Sequence, residues 1–166
     1  MKHNLEHILK NGGIAVLPTD TLYGIVGSAV SKKAVQKIYK VRKRTPSKPC
    51  IILISSITDL KKFGIKNIPL KELREVWPGK VSVILPCPYK KFEYLHRGTN
   101  KLAFRLPDSV WLCTLLKKTG PLVAPSANIE GQTPAYTIEE AENYFGGKVE
   151  IFMSTKVVSS PSHQHL

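Results

Sequence analysis

A chain of 166 residues, 42% of them hydrophobic, is long and apolar enough for one domain with a proper core, which excludes wholesale disorder. No apolar run approaches the ~20 residues of a membrane span, and the opening Met-Lys-His-Asn-Leu-Glu-His lacks the apolar stretch of a secretory leader, so a cytoplasmic protein without membrane partners is expected. Lys and Arg number 25 against 12 Asp and Glu, a net charge of +13 that suits polyanions: nucleotide phosphates, RNA or an acidic surface.

In chain order, residues 5–10 predict a short helix stopped by Asn11, Gly12 and Gly13. Residues 14–17 predict a buried strand that ends at Pro18, which has no N–H for a ladder. Thr19, Asp20, Thr21 and Tyr23 follow, before Gly24 and Gly27 release the backbone. Ser31 suits the N-cap of a helix to about Val41, with Ala34, Val35, Ile38 and Val41 inside. Residues 51–54 predict a second buried strand, and 58–63 and 70–76 short helices. Trp77, Pro78 and Gly79 turn the chain into a strand over 81–85; a strand over 101–106, a helix over 110–118 and a short strand over 122–124 come next. Thr137 caps a helix with Glu139, Glu140 and Glu142 in its early turns, and Gly146 and Gly147 end it before a strand over 149–153. Strands and helices alternate without repeats, which predicts a single α/β domain over 1–166 with a mixed sheet.

The three cysteines Cys50, Cys87 and Cys113 are widely spaced, which opposes a disulfide framework or a zinc ribbon. His3 and His7 stand one helical turn apart, but no carboxylate or thiol pattern joins them, and a surface helix accounts for them. His163 and His165 lie in a polar tail. There is no Gly-x-x-x-x-Gly-Lys-[Ser/Thr], no Gly-x-Gly-x-x-Gly and no Gly-x-Ser-x-Gly elbow. A nucleotide would therefore be held by Arg and Lys side chains with small hydroxyl and amide groups, in chemistry that positions reactants and neutralises charge.

Three polar loops offer such groups. The stretch from Thr19 to Tyr23 reads equally as a ligand site at a strand end or as a capping turn. The second is the basic loop Arg42, Lys43, Arg44 and Lys48, shaped by Pro46 and Pro49; no acidic residue lies between Asp20 and Asp59. For the lysines farther up the helix, a solvated face is the competing account. The third loop is Ser126-Ala127-Asn128. Arg105, in the apolar Ala103-Phe104-Arg105-Leu106-Pro107, is either a surface residue on an alternating strand or a planar fork aimed at a carboxylate or phosphate.

These stretches, together with Gly12 through Gly24, Trp77-Pro78-Gly79-Lys80-Val81 and Ala124 through Gly131, lie in an order over residues 12 to about 137 that resembles the YrdC-like threonylcarbamoyl-adenylate synthases. The resemblance implies a YrdC-like twisted mixed sheet flanked by helices, with a large basic concave face. It implies a nucleotidyltransferase that takes L-threonine, bicarbonate and ATP with Mg²⁺, and releases pyrophosphate and threonylcarbamoyl-AMP for N6-threonylcarbamoylation of adenosine 37 in tRNA. Thr19, Tyr23, Arg105 and Ser126 would then bind threonine, with Arg105 on its carboxylate. Arg42, Arg44, Lys48 and Asn128 would bind ATP, and Arg42, Arg44, Ser126 and Asn128 would form the catalytic set. No side-chain metal site is implied: Mg²⁺ would be held through the ATP phosphates. The partners implied are the substrates and tRNA or the tRNA-modifying transferase complex.

Several positions depart from the family pattern. Arg42 replaces a lysine, Glu130 stands where serine is common, and Lys101 where threonine is common. Family members continue into a Ser-Thr-[Ile/Val]-Val segment over the ATP; Pro161 and Ser162 begin something similar, and the last ~10 residues are expected to be a disordered or truncated tail. The alternatives are a non-catalytic YrdC-like module for tRNA or double-stranded RNA, and a paralogue forming a carbamoyl-adenylate from carbamoyl phosphate, as in hydrogenase maturation.

Overall fold

The computed structural model describes residues 2–154, so the tail with Pro161, Ser162, His163 and His165 lies outside the described residues. The chain enters through α1 (Lys2–Lys10), β1 (Ile14–Pro18), β2 (Tyr23–Ser28) and α2 (Lys32–Arg42), then β3 (Ile52–Leu53) and a 3-10 helix (Ile57–Phe63). It continues with α3 (Leu70–Val76), β4 (Val83–Pro86), a 3-10 turn (Lys90–Phe92), α4 (Glu93–His96) and β5 (Lys101–Arg105). The last elements are α5 (Val110–Thr119), β6 (Leu122–Val123), α6 (Ile138–Phe145), a 3-10 turn (Gly146–Lys148) and β7 (Ile151–Phe152).

The strands form one mixed sheet of order β4-β5-β3-β6-β2-β1-β7. β1 pairs β2 antiparallel from Ile14↔Gly27 to Pro18↔Tyr23 and β7 in parallel. β3 runs parallel to β5 and antiparallel to β6, with Ile52 opposite both Phe104 and Val123. The mixed sheet flanked by helices is the fold class the sequence predicts.

The strand β1 is buried on both faces of the sheet, which is why 14–17 is an unbroken apolar run. Ile14, Val16, Ile25, Ile52, Phe104 and Val123 point to one side, where Ala34, Val35 and Ile38 of α2 complete the core. Ala15, Leu17, Val26, Leu53 and Leu122 point to the other, against Leu5 and Leu9 of α1 and Leu112, Leu115 and Leu116 of α5. Helix starts follow their cap chemistry: Ser31 accepts from the Ala34 amide, and Thr137 with Glu140 forms a full capping box.

The structure corrects several sequence expectations. Gly24 and Gly27 are not a released loop; both lie inside β2. A Cβ on Gly27 would stand 3.2 Å from Ala34 Cβ, Ile14 Cγ2 and Ile38 Cδ1, so the glycine lets α2 sit close against the sheet. On α2, Tyr39 and Arg42 are buried beside the expected apolar residues, whereas Val41 is only half-buried. β3 keeps two residues of the expected four, and residues 90–96, which carry no periodicity, coil into short helical turns.

Candidate active site

One hollow opens on the sheet face that carries α1 and α5. Strand alternation puts Ala103 and Arg105 on the face opposite Phe104, and Ala103, Ala124 and Gly24 have too little side chain to fill the space above them. The result is a cavity of about 420 Å³ whose wall includes Thr19, Tyr23, Arg44, Arg105 and Ser126, with Pro49 and Ile51 as apolar lining.

Each polar wall residue is positioned by local structure. Between β1 and β2 the chain turns back with the Thr19 hydroxyl donating to the Leu22 carbonyl at 2.6 Å and accepting the Thr21 amide at 3.2 Å. Gly24 brings the third loop in: a Cβ there would lie 3.0 Å from Thr19 Cγ2 and 3.4 Å from the Pro125 carbonyl, and Gly24 bridges Ser126. Lys43 takes a left-handed conformation (φ 52°) just past α2, and the Arg44 amide closes back on the Tyr39 carbonyl at 3.0 Å. That reversal carries Arg44 over the hollow, where it donates to the Lys48 and Pro49 carbonyls at 3.1 and 2.7 Å and lies 5.8 Å from the Tyr39 ring centre.

Arg105 is 8% exposed and joins Asp20 through Nη2 and Oδ1 at 2.9 Å. Its Nε and the second Asp20 oxygen, both buried, have no hydrogen-bond partner among the described residues. A buried guanidinium held by one carboxylate and lining a cavity is suited to a second carboxylate.

Arg42, Asn128 and Lys48 are not on the cavity wall. Arg42 is 3% exposed; its Nε donates to the Ser126 and Asn128 carbonyls at 2.9 and 3.1 Å and its Nη2 to Asn128 Oδ1 at 3.4 Å. Burial first, then the charge of Arg44, pulls its proton affinity below the usual arginine value. Asn128 also accepts the Ser126 hydroxyl at 2.6 Å and donates to the Ile129 and Gln132 carbonyls. The pair clamps the Ser126–Glu130 loop to the end of α2. Lys48 stands largely exposed at the rim, 3.3 Å from Glu130.

Glu130 ties this layer together. It faces Arg42 at 3.3 Å, Arg44 at 3.7 Å and Lys48 at 3.3 Å, and accepts the Thr45 hydroxyl at 3.3 Å. Burial pushes its carboxyl up, but Lys48, Arg42 and Arg44 more than offset this and hold it below the usual carboxylate value.

The model of the family Sua5_yciO_yrdC, described as telomere recombination, matches residues 7–163. The chain belongs to the Sua5/YciO/YrdC family. Among curated members, the threonylcarbamoyl-AMP synthase of Bacillus subtilis (strain 168) is 31% identical over 146 residues, covering 86% of this chain and 42% of that one. That of Methylobacillus flagellatus is 27% identical over 162 residues, covering 95% and 90%. The crystal structure of Pyrococcus abyssi Sua5 complexed with L-threonine superposes with a TM-score of 0.82 at 27% identity, over 92% of this chain and 46% of that one. The chain spans about half or less of the length of several curated relatives it matches.

Within the family frame, the Thr19 loop, the basic loop and the Ser126 loop meet at one place. Sequence reasoning missed the Asp20–Arg105 pair and the small residues Ala103 and Ala124 that make the hollow. The alternation of 102–105 and the place of Asp20 within the Thr19 loop were the available signals, and neither names a partner 85 residues away.

Proposed function

We propose that this chain makes threonylcarbamoyl-AMP from L-threonine, bicarbonate and ATP with release of pyrophosphate, supplying the tRNA-modifying transferase that carries the group to adenosine 37. The observation that carries the reading is the convergence of Arg44 and Arg105 with Thr19, Tyr23 and Ser126 on one cavity of about 420 Å³, a volume at the lower end of the roughly 300–1,000 Å³ usual for small-molecule sites. The names of the curated relatives and the L-threonine complex of Pyrococcus abyssi Sua5 support it.

Arg105 takes the threonine carboxylate, and Thr19, Tyr23 and Ser126 surround the rest of the amino acid. The threonine amine adds to bicarbonate with loss of water, giving a carbamate. A carbamate oxygen attacks the α-phosphorus of ATP, the bond to the bridging oxygen breaks, and pyrophosphate leaves. Bringing two anions together is the main electrostatic obstacle, and fixed cations oppose it: Arg44 at the wall and Lys48 at the rim. Arg42 and Asn128 act one layer down, holding the loop that carries Ser126. No group of three or more His, Cys, Asp or Glu side chains able to hold a metal occurs among the described residues. Mg²⁺ would enter bound to ATP and would supply charge screening during phosphoryl transfer.

Purified protein given ATP, Mg²⁺, bicarbonate and threonine is expected to release pyrophosphate only when threonine is present, and Arg44→Ala is expected to abolish the release. Pyrophosphate formed at the same rate without threonine would overturn the reading. A second reading, tRNA binding, is favoured by a groove lined by Lys32, Lys90, Lys91 and Arg97 beside α2 and α4. Salt-sensitive tRNA binding that survives Arg44→Ala would support it.

A further inference from the structure

Glu130 has more cationic partners than its loop needs. Arg42 is already anchored by the Ser126 and Asn128 carbonyls and by Asn128 Oδ1. Arg44 is anchored by the Lys48 and Pro49 carbonyls, and the Tyr39 hydroxyl donates to the Lys48 carbonyl. The Glu130 amide bonds the Arg42 carbonyl at 2.8 Å, so even the position of residue 130 is set by its backbone. What the carboxylate adds is charge: one oxygen faces Arg42 and Arg44, the other Lys48 and the Thr45 hydroxyl.

That arrangement is the one an oxyanion ligand would adopt. A phosphate group approaching from the cavity meets Arg44, which is on its wall, and then Lys48, whose side chain is 62% exposed. Both cations are shared with a carboxylate that is itself only 21% exposed.

We infer that Glu130 is an internal counter-anion of the nucleotide site, holding Arg44 and Lys48 in the free protein and yielding them to phosphate oxygens when the nucleotide binds. The inference rests on the reading that these two cations face the ATP phosphates. Its consequence is selectivity: a small anion must compete with a carboxylate already in place, whereas a triphosphate with its adenosine brings further contacts that offset the displacement. The same competition speeds the departure of pyrophosphate after the reaction.

The test is calorimetric titration of the full chain with inorganic pyrophosphate at fixed ionic strength, for wild type, Glu130→Gln and Glu130→Ser, with ATP and threonine titrated in parallel. Glutamine keeps the shape and the acceptor oxygen while removing the charge; serine keeps the test alive if the glutamine protein does not fold. Removing a unit charge several ångströms from the ligand in a largely buried site is expected to tighten pyrophosphate binding about five- to tenfold, with threonine affinity unchanged. Equal or weaker pyrophosphate binding by the folded variants, with wild type still binding ATP, would overturn the inference and leave the proposed reaction standing. If neither wild type nor variant binds pyrophosphate or ATP, both fall.

Discussion

Replacing Arg42 with alanine removes a guanidinium that is 3% exposed and holds the Ser126–Glu130 loop against α2. The Nε bond is shared between the Ser126 and Asn128 carbonyls at 2.9 and 3.1 Å, so it counts as one strong charge-assisted bond, worth about 1.5–3 kcal/mol. The contacts to Asn128 Oδ1 and Glu130, at 3.4 and 3.3 Å, are long, and the second is partly solvated, so together they add about 1 kcal/mol. The loss of packed side-chain methylenes brings the cost to about 3–5 kcal/mol. With a urea m-value of about 2 kcal/mol/M, the unfolding midpoint should fall by about 1.5–2.5 M. Arg42→Lys keeps the charge but loses the fork, and should lie about midway. Urea denaturation followed by circular dichroism, with ATP titration of the folded variants, checks both. A midpoint within about 0.5 M of wild type, together with lost ATP binding, would refute the reasoning by showing that this guanidinium faces the ligand and not the loop.

Asp20→Asn leaves the Arg105 guanidinium without its charged partner in a buried site, and is expected to raise the threonine KM of pyrophosphate release about tenfold; an unchanged KM would sink the view that Asp20 positions Arg105. Gly27→Ala forces a Cβ to 3.2 Å from three neighbouring carbons, and thermal denaturation should show a loss of about 1–3 kcal/mol with the cavity residues undisturbed. Glu130 and Glu150 both have carboxyl groups held below the ordinary 4.5: burial raises each, while Lys48, Arg42 and Arg44, or the Ile14 amide and Lys37, lower them further. A depressed carboxyl stabilises the fold above its unfolded value and loses that contribution as the pH falls through the folded one. Stability should therefore drop below about pH 4.5, and Glu150→Gln should flatten that drop in urea midpoints measured across the acid range; parallel curves for wild type and variant would contradict it.

Arg42 illustrates what could be read before folding and why reading stopped there. Its spacing from Val35 and Ile38 puts it on the inner face of α2, a signal present in the sequence. Charge argued the other way, because a guanidinium is rarely buried unless acceptors meet it. Those acceptors come from a loop 84–88 residues further along, and no local pattern announces them. β2 was hidden for a related reason. Tyr-Gly-Ile-Val-Gly-Ser looks like a turn because its glycines are poor strand formers, and only the approach of α2 and of the Ser126 loop supplies their purpose.

Local chemistry by itself determined the caps, the apolar runs and hence a mixed α/β sheet, because hydrogen-bond closure at a helix start and burial of a strand depend on residues a few positions apart. It also marked the Thr19, Arg44, Arg105 and Ser126 segments as polar places in an apolar chain. Only the tertiary structure decided which of them share a cavity, which cations are spent on backbone carbonyls, and that Asp20 and Glu130 neutralise the arginines nearest to it. Electrostatic partnership acts through space over a few ångströms, and strand order, not chain order, sets which charges come that close.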